Sequence, residues 1–198
     1  MSQLALTSDA LGSAVTGTLE FTNPAFYLTP ATSQRGVVLA DQFMLQQAAY
    51  TLTSQTAAQK LFNVSTNGAV TLVAGTYEFE CVFSLSSMSS SSGSFGFALG
   101  GGATFTQYWW SNANKATLAT AASGAVTYNT AANTALVTAN TNTVAFARCG
   151  GILVVATGGT LIPQVSLGVA AAAVVGIGSY FKIRALGDSA ATSSGNWS

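Results

Sequence analysis

The sequence predicts an all-β protein of antiparallel strands arranged as a sandwich or barrel. Period-2 alternation of apolar and polar residues dominates the 198 residues, as expected of strands with one buried face. The alternating runs are short and closely spaced, and glycine-bearing turn signals separate them. Helical periodicity is almost absent.

Taken in chain order, residues 1–34 are rich in Ser, Thr and Ala, carry Pro24 and Pro30, and read as an extended N-terminal arm ahead of a domain over 35–198. Gly36 to Ala40 is a candidate strand, and Asp41 to Ala49 is long enough for one or two helical turns. Gln59 to Asn63 and Ala69 to Val73 follow as strands, with the Asn67-Gly68 turn between them. Tyr77 to Leu85 is the clearest strand, since every odd position is apolar and most even positions are polar. Ser84 to Ser94 reads as a serine-rich hairpin tip. Phe95, Phe97 and Leu99 then alternate with Gly96 and Ala98. Gly100-Gly101-Gly102 is a turn, and Thr104 to Trp110 is a strand. Asn112 to Asn142 reads as long exposed connections around one short strand at Ala125 to Asn129. Thr143 to Cys149 and Ile152 to Ala156 read as two strands parted by a Gly150-Gly151 turn. Leu161, Pro163, Val165 and Leu167 form the apolar side of the next strand. Ala170 to Ala173 tolerates helix, but its glycine and β-branched neighbours favour a loop. Phe181, Ile183 and Ala185 finally oppose Tyr180, Lys182 and Arg184. No internal repeat is evident.

Composition narrows function sharply. Only 12 side chains are charged, six of each sign, and histidine is missing, while 49% of residues are hydrophobic. Such a chain has few parts from which to build an acid, a base, a metal site or a phosphate clamp. Its charges are scattered singly, with no basic stripe for nucleic acid and no polybasic membrane anchor. A chain of this length buries roughly 70% of its unfolded surface in one core. A near-neutral surface lacks the self-repulsion that keeps monomers apart, which favours a homo-oligomer. The N-terminus has no secretory pattern. The most apolar stretch, Leu167 to Ile177, falls short of a membrane span, so the expectation is a soluble protein made in the cytoplasm. Cys81 and Cys149 lie in apolar runs 68 positions apart, and buried free thiols outrank a disulfide.

Candidate sites are few. Glu78 and Glu80 share one strand face roughly 7 Å apart, a spacing open to a glycosidase pair. Cross-strand pairing with cations such as Lys182 and Arg184 explains them better. Tyr108, Trp109 and Trp110, followed by Asn112 and Asn114, could offer aromatic faces and amides to a sugar ring. Alternation places Tyr108 and Trp110 on one face and Trp109 on the other, so core or interface packing accounts for them as well. A serine nucleophile would have only Lys60, Lys115 or Lys182 as base, none in a supporting motif. Gly100-Gly101-Gly102 is not followed by the features of a phosphate loop. No catalytic residue, metal or cofactor is expected. The arm carries Leu4, Leu6, Leu11, Phe21, Phe26 and Tyr27 between small polar residues, and these are the candidate anchoring residues.

From about Gly17 onward, an ordered series of segments resembles a domain of bacteriophage and prophage virion proteins that often ends tail or fibre proteins. The segments are Gly17-Thr18-Leu19-Glu20-Phe21, Arg35-Gly36-Val37-Val38, Gln59-Lys60-Leu61-Phe62-Asn63 and Asn67-Gly68-Ala69-Val70-Thr71-Leu72. Gly75 to Cys81, Gly158 to Gln164, Gly178-Ser179-Tyr180-Phe181 and Gly195-Asn196-Trp197-Ser198 continue the series. The resemblance implies an antiparallel jelly-roll sandwich, like the tumour-necrosis-factor and complement-globular families, with three copies packed around an axis. It transfers no catalytic residues. The expected role is a non-enzymatic structural protein of a tailed-phage virion, synthesised in the host cytoplasm. A capsid decoration or head-fibre knob touching major capsid or tail proteins comes first, because so short a segment before the domain argues against a fibre shaft. The alternative is a tail-tip or fibre protein that recognises host surface glycans.

Overall fold

A computed structural model describes residues 15–31, 34–115, 125–129, 133–137 and 143–188. Among them all regular structure is strand. The order begins β1 (Leu19–Thr22), β2 (Ala25–Ala31), β3 (Gln34–Val38), β4 (Asp41–Leu45), β5 (Tyr50–Thr51), β6 (Gln59–Lys60), β7 (Val70–Leu72) and β8 (Gly75–Ser86). It continues with β9 (Phe95–Gly100), β10 (Thr104–Lys115), β11 (Ala125–Asn129), β12 (Asn133–Val137), β13 (Ala145–Thr157), β14 (Gly159–Leu167), β15 (Val174–Val175) and β16 (Tyr180–Gly187).

Three antiparallel sheets result. β1, β2 and β3 make a small meander. An eight-stranded sheet runs β11-β10-β13-β8, after which β8 pairs with β16 along most of its length and with β15 near its end. β16 carries β4 outside it, and β15 carries β5. The third sheet runs β12-β9-β14-β6, with β7 also on β14. One apolar cluster fills the space between the two larger sheets.

Alternation in β8 explains its place at the centre. Tyr77, Phe79, Cys81, Phe83 and Leu85 are all buried, and the residues between them are half-exposed. Phe83 reaches the facing sheet, 6.0 Å from the ring of Phe95 and 6.2 Å from that of Phe97. Phe97 in turn meets the edge of Trp110 at 5.3 Å. Each such fully buried side chain contributes roughly 1.5–3 kcal/mol by leaving water.

Several expectations are corrected. Asp41 to Leu45 is strand β4 and not a helical turn, because pairing with β16 satisfies its backbone whereas a single helical turn must nucleate alone. Thr143 to Ala156 holds one continuous strand through Gly150 and Gly151. Gly151 is glycine because a Cβ there would collide with the Trp109 carbonyl and the Trp110 backbone on the neighbouring strand. Ser84 to Ser94 is no hairpin tip, since β8 and β9 belong to different sheets. There Met88 is buried, while Ser89 caps the bend by accepting from the Ser91 and Ser92 amides. Within Asn112 to Asn142, β10 runs on to Lys115 and both β11 and β12 form.

The extended-arm expectation is overturned over residues 19–31. They form β1 and β2, and the boundary drawn at residue 35 falls inside β3. Along β2, Ala25, Tyr27 and Thr29 are buried, whereas Phe26 and Leu28 are exposed. The buried side rests on the body of the protein: Pro24 lies so close to Gly75 that a Cβ there would sit 2.9 Å from its ring. Burial, then the nearby Asp188 charge, raises the Tyr27 hydroxyl pKa, partly offset by Arg35. Arg35 itself pairs with Glu20 at 2.8 Å. Leu4, Leu6 and Leu11 lie outside the described residues.

Candidate functional site

Strand register converts scattered residues into a surface. Across the outer face of the eight-stranded sheet, one row reads Trp109, Ile152, Glu78, Arg184, Asp41. The next reads Ser111, Gly150, Glu80, Lys182, Phe43, and the third Ala113, Arg148, Val82, Tyr180, Leu45. Of the six charged side chains in these rows, the five on β8, β13 and β16 converge, though the sequence separates Glu80 from Arg148 and Arg148 from Lys182 by dozens of positions.

Each of the five has an opposite charge against it, two carboxylates serving three cations. Arg184 donates through Nε to Glu78 Oε2 at 2.7 Å and also pairs with it through its terminal nitrogen. Glu80 takes Lys182 at 3.3 Å on one oxygen and Arg148 on the other. Burial pushes the Glu80 pKa up, but hydrogen bonds from Tyr180, Lys182 and Arg148 outweigh it and hold the carboxyl below its ordinary value. Burial, followed by its bond to Glu80, raises the Tyr180 hydroxyl. A shallow depression of about 390 Å³ opens over Gly150 and Gly151, lined by Glu78, Glu80, Ser111, Arg148 and Lys182 among others.

This arrangement suits packing better than proton transfer. A glycosidase acid needs a carboxyl held protonated near neutrality. Glu80 is held ionised, and Glu78 is engaged by a guanidinium. Lys60 donates to Asn63 Oδ1 at 2.8 Å and to the Thr66 carbonyl at 2.9 Å, so its ammonium fastens a loop. Among the described residues no three His, Cys, Asp or Glu side chains come together as a metal-binding group.

The pairing at Glu80 has a pH signature. Its folded pKa lies below the ordinary 4.5, so its contribution is complete above that value and is lost as pH falls through the folded one. The thermal midpoint should therefore hold from neutrality to about pH 5 and drop below about pH 4. Glu80→Gln should lower the midpoint at neutral pH and flatten part of that acid drop. An unchanged acid limb in the variant would show that Glu80 carries no such linkage.

The aromatic candidates separate by face. Trp110 is fully buried, Asn112 is 2% exposed, and Tyr108 is half-buried with its ring edge-on to Phe105 at 5.7 Å. Their inward alternation removes Trp110 and Asn112 from any glycan surface. Trp109 alone of the group is open, 42% exposed on the outer face. Asn114 lies in β10 opposite Ala147 and Ala125, with its side chain outside the described residues.

Two apolar surfaces emerge. One edge of the eight-stranded sheet exposes Phe43 (61%) and Leu45 (46%), with the Phe43 ring 6.4 Å from that of Tyr180. Helical reading of this segment hid both residues. The outer face of the meander carries Leu19 opposite Leu28, Phe21 opposite Phe26, and Val38 beside Phe26. The Phe21 and Phe26 rings are 4.7 Å apart. Of the anchoring candidates in the described residues, these two share the outer face. Tyr27 is on the opposite, buried side and is removed from that role.

No family model matches this chain, and no curated protein matches its sequence.

Proposed function

We propose that the protein is a non-catalytic, self-associating structural component of a tailed-phage virion, built as a trimeric jelly roll. Its position is that of a capsid decoration or head-fibre knob. The strand order supports the jelly-roll part. Setting aside the β10–β11 pair, the peripheral β7 and the β5–β15 pair, eight strands of the two larger sheets remain. They fall four to a sheet, ordered β13-β8-β16-β4 and β12-β9-β14-β6. The chain changes sheet at every step except β9 to β12, which is the winding of two Greek keys in a jelly roll.

The observation that carries the role is the presence of two separate apolar outer faces on one near-neutral chain. Large exposed apolar patches mark surfaces that other molecules cover. The face with Phe43, Leu45, Trp109 and Phe146 surrounds a charge group in which every member already has a partner of opposite sign within the subunit, so a second and third copy can cover it without leaving a charge partnerless. The meander face then serves as the contact with a capsid or tail protein. The resemblance to virion domains gives the particle as its setting.

Cryo-electron microscopy of intact particles tests this, with density for three-fold knobs on the head as the expected result. Particles without the protein would contradict it. Phe26→Asp should cut occupancy on the particle by about tenfold or more, because a carboxylate placed in an apolar contact must be desolvated. Its solution assembly should stay unchanged. Unaltered occupancy would move the anchor elsewhere.

Trp109 favours a second reading. An exposed indole with Ser111 two positions along the same strand face is suited to stacking on a sugar, as in a tail-tip protein that recognises host glycans. A few copies at the tail end, together with binding to host polysaccharide, would select this reading.

A further inference from the structure

The two cysteines stand directly opposite each other. Cys149 of β13 is the register partner of Cys81 of β8, and both are fully buried on the same inward face. The hydrogen-bond pattern gives their spacing. Ser84 turns its backbone toward the β15–β16 side, where its carbonyl accepts from the Gly176 amide at 3.1 Å and its amide donates to Ser179 Oγ at 3.3 Å. Successive residues of a strand point their backbone groups to opposite sides, so Cys81, three residues earlier, faces β13. Register is continuous over that interval. Cys81 and Cys149 therefore form a hydrogen-bonded pair with Cα atoms about 5.5 Å apart, close to the commonest spacing of disulfides.

We propose that Cys81 and Cys149 are a reversible dithiol–disulfide couple, a latent cross-strand link between the two central strands of the eight-stranded sheet. Their Cβ atoms, at the wide end of the cross-strand range, must be drawn together by about 1–2 Å to reach disulfide geometry. Gly150 and Gly151 follow Cys149 directly and leave the β13 backbone freer to yield than any other pair of residues would. The strain that is left makes the link easier to reduce than a structural disulfide.

The oxidant is a low-molecular-weight disulfide such as oxidised glutathione. One cysteine thiolate attacks a glutathione sulfur, breaking its S–S bond and releasing one glutathione thiolate. The second cysteine thiolate then attacks the protein sulfur of the mixed disulfide, forming the Cys81–Cys149 bond and releasing the second glutathione. The protein loses two protons and two electrons, and the glutathione disulfide gains them. Burial pushes both thiols well above their ordinary pKa, with Cys149 adding to the rise at Cys81. Closure thus waits for β13 to open from β8, or takes place while the chain folds. If the virion reading holds, the couple would be open in the reducing cytoplasm and able to close outside the cell. The chemistry itself does not depend on that reading.

The test uses the purified full chain. It is refolded in a buffer of oxidised and reduced glutathione, and in parallel the folded protein is incubated for days with oxidised glutathione. Each sample is denatured with an alkylating reagent and weighed. The expected result is a chain lighter by two hydrogens, with alkyl uptake falling from two groups to none and no chain-to-chain links. Its thermal midpoint should rise by roughly 5–10 °C, and an excess of reduced glutathione should restore the thiols. Cys149→Ala should never become lighter by two hydrogens, its Cys81 either taking up one alkyl group or carrying one glutathione as an unresolved mixed disulfide. Should that variant fail to fold, the wild-type count decides alone. Two alkyl groups taken up by the wild type after both treatments, or linkage between chains, would overturn the proposal. Neither outcome bears on whether the protein belongs to a particle.

Discussion

Replacing Trp110 with alanine should cost about 3–5 kcal/mol of folding stability, much of what a domain of this size has. The side chain is fully buried, and its ring meets Phe97, which in turn packs on Phe83 of the facing sheet. Its removal opens a cavity where both sheets meet, and the rings around it are held by strands that cannot collapse inward. Trp109→Ala is the control. That indole is 42% exposed on the other side of the same strand, so its loss should shift stability by less than about 1 kcal/mol. Chemical denaturation of the two variants measures the difference. Equal losses would mean that the alternation along β10 has been misjudged.

Phe43→Asp should act on assembly and leave folding almost untouched. At 61% exposure in the single chain, Phe43 contributes little to the subunit's own core. Within the proposed trimer it is an aromatic anchor, with Leu45 next to it and Tyr180 on the neighbouring strand. Interface anchors of this kind carry a few kcal/mol each, and a buried carboxylate adds its desolvation cost. Dissociation should become easier by about 100-fold or more. Sedimentation across a concentration series reads this directly. A variant that assembles as tightly as the wild type would place the contact elsewhere.

What could be read from the sequence, and what could not, follows one physical rule. β8, β14 and β16 were plain because each buries one face and leaves the other partly wet, which writes a period of two into the chain, and β9 was plain because large Phe95, Phe97 and Leu99 alternate with small Gly96 and Ala98. β4 was not, because Phe43-Met44-Leu45 is apolar on both faces, one for the core and one left outside. The meander hid for the same reason: Phe26, Tyr27 and Leu28 alternate in space, but all three are apolar or aromatic. Segments with an outer face suited to partners lose the alternation that would reveal them. Gly150-Gly151 misled differently. Paired glycines usually signal a turn, but here close approach of β10 excludes a side chain at Gly151.

The charged face and the cysteine pair depend on register, which local pattern does not encode. Cross-strand pairing of Glu78 and Glu80 with Arg184 and Lys182 could be foreseen because those runs share a polar side. Arg148 joining the group could not. Its placement follows from the unbroken course of β13, and so does that of Cys149 opposite Cys81.

The deciding question is whether isolated subunits find each other at all. Sedimentation velocity of the purified wild-type chain answers it in a single run. One species at three times the 20.0 kDa of a single chain, insensitive to added salt, is the predicted outcome. A stable lone subunit at micromolar concentration would contradict it.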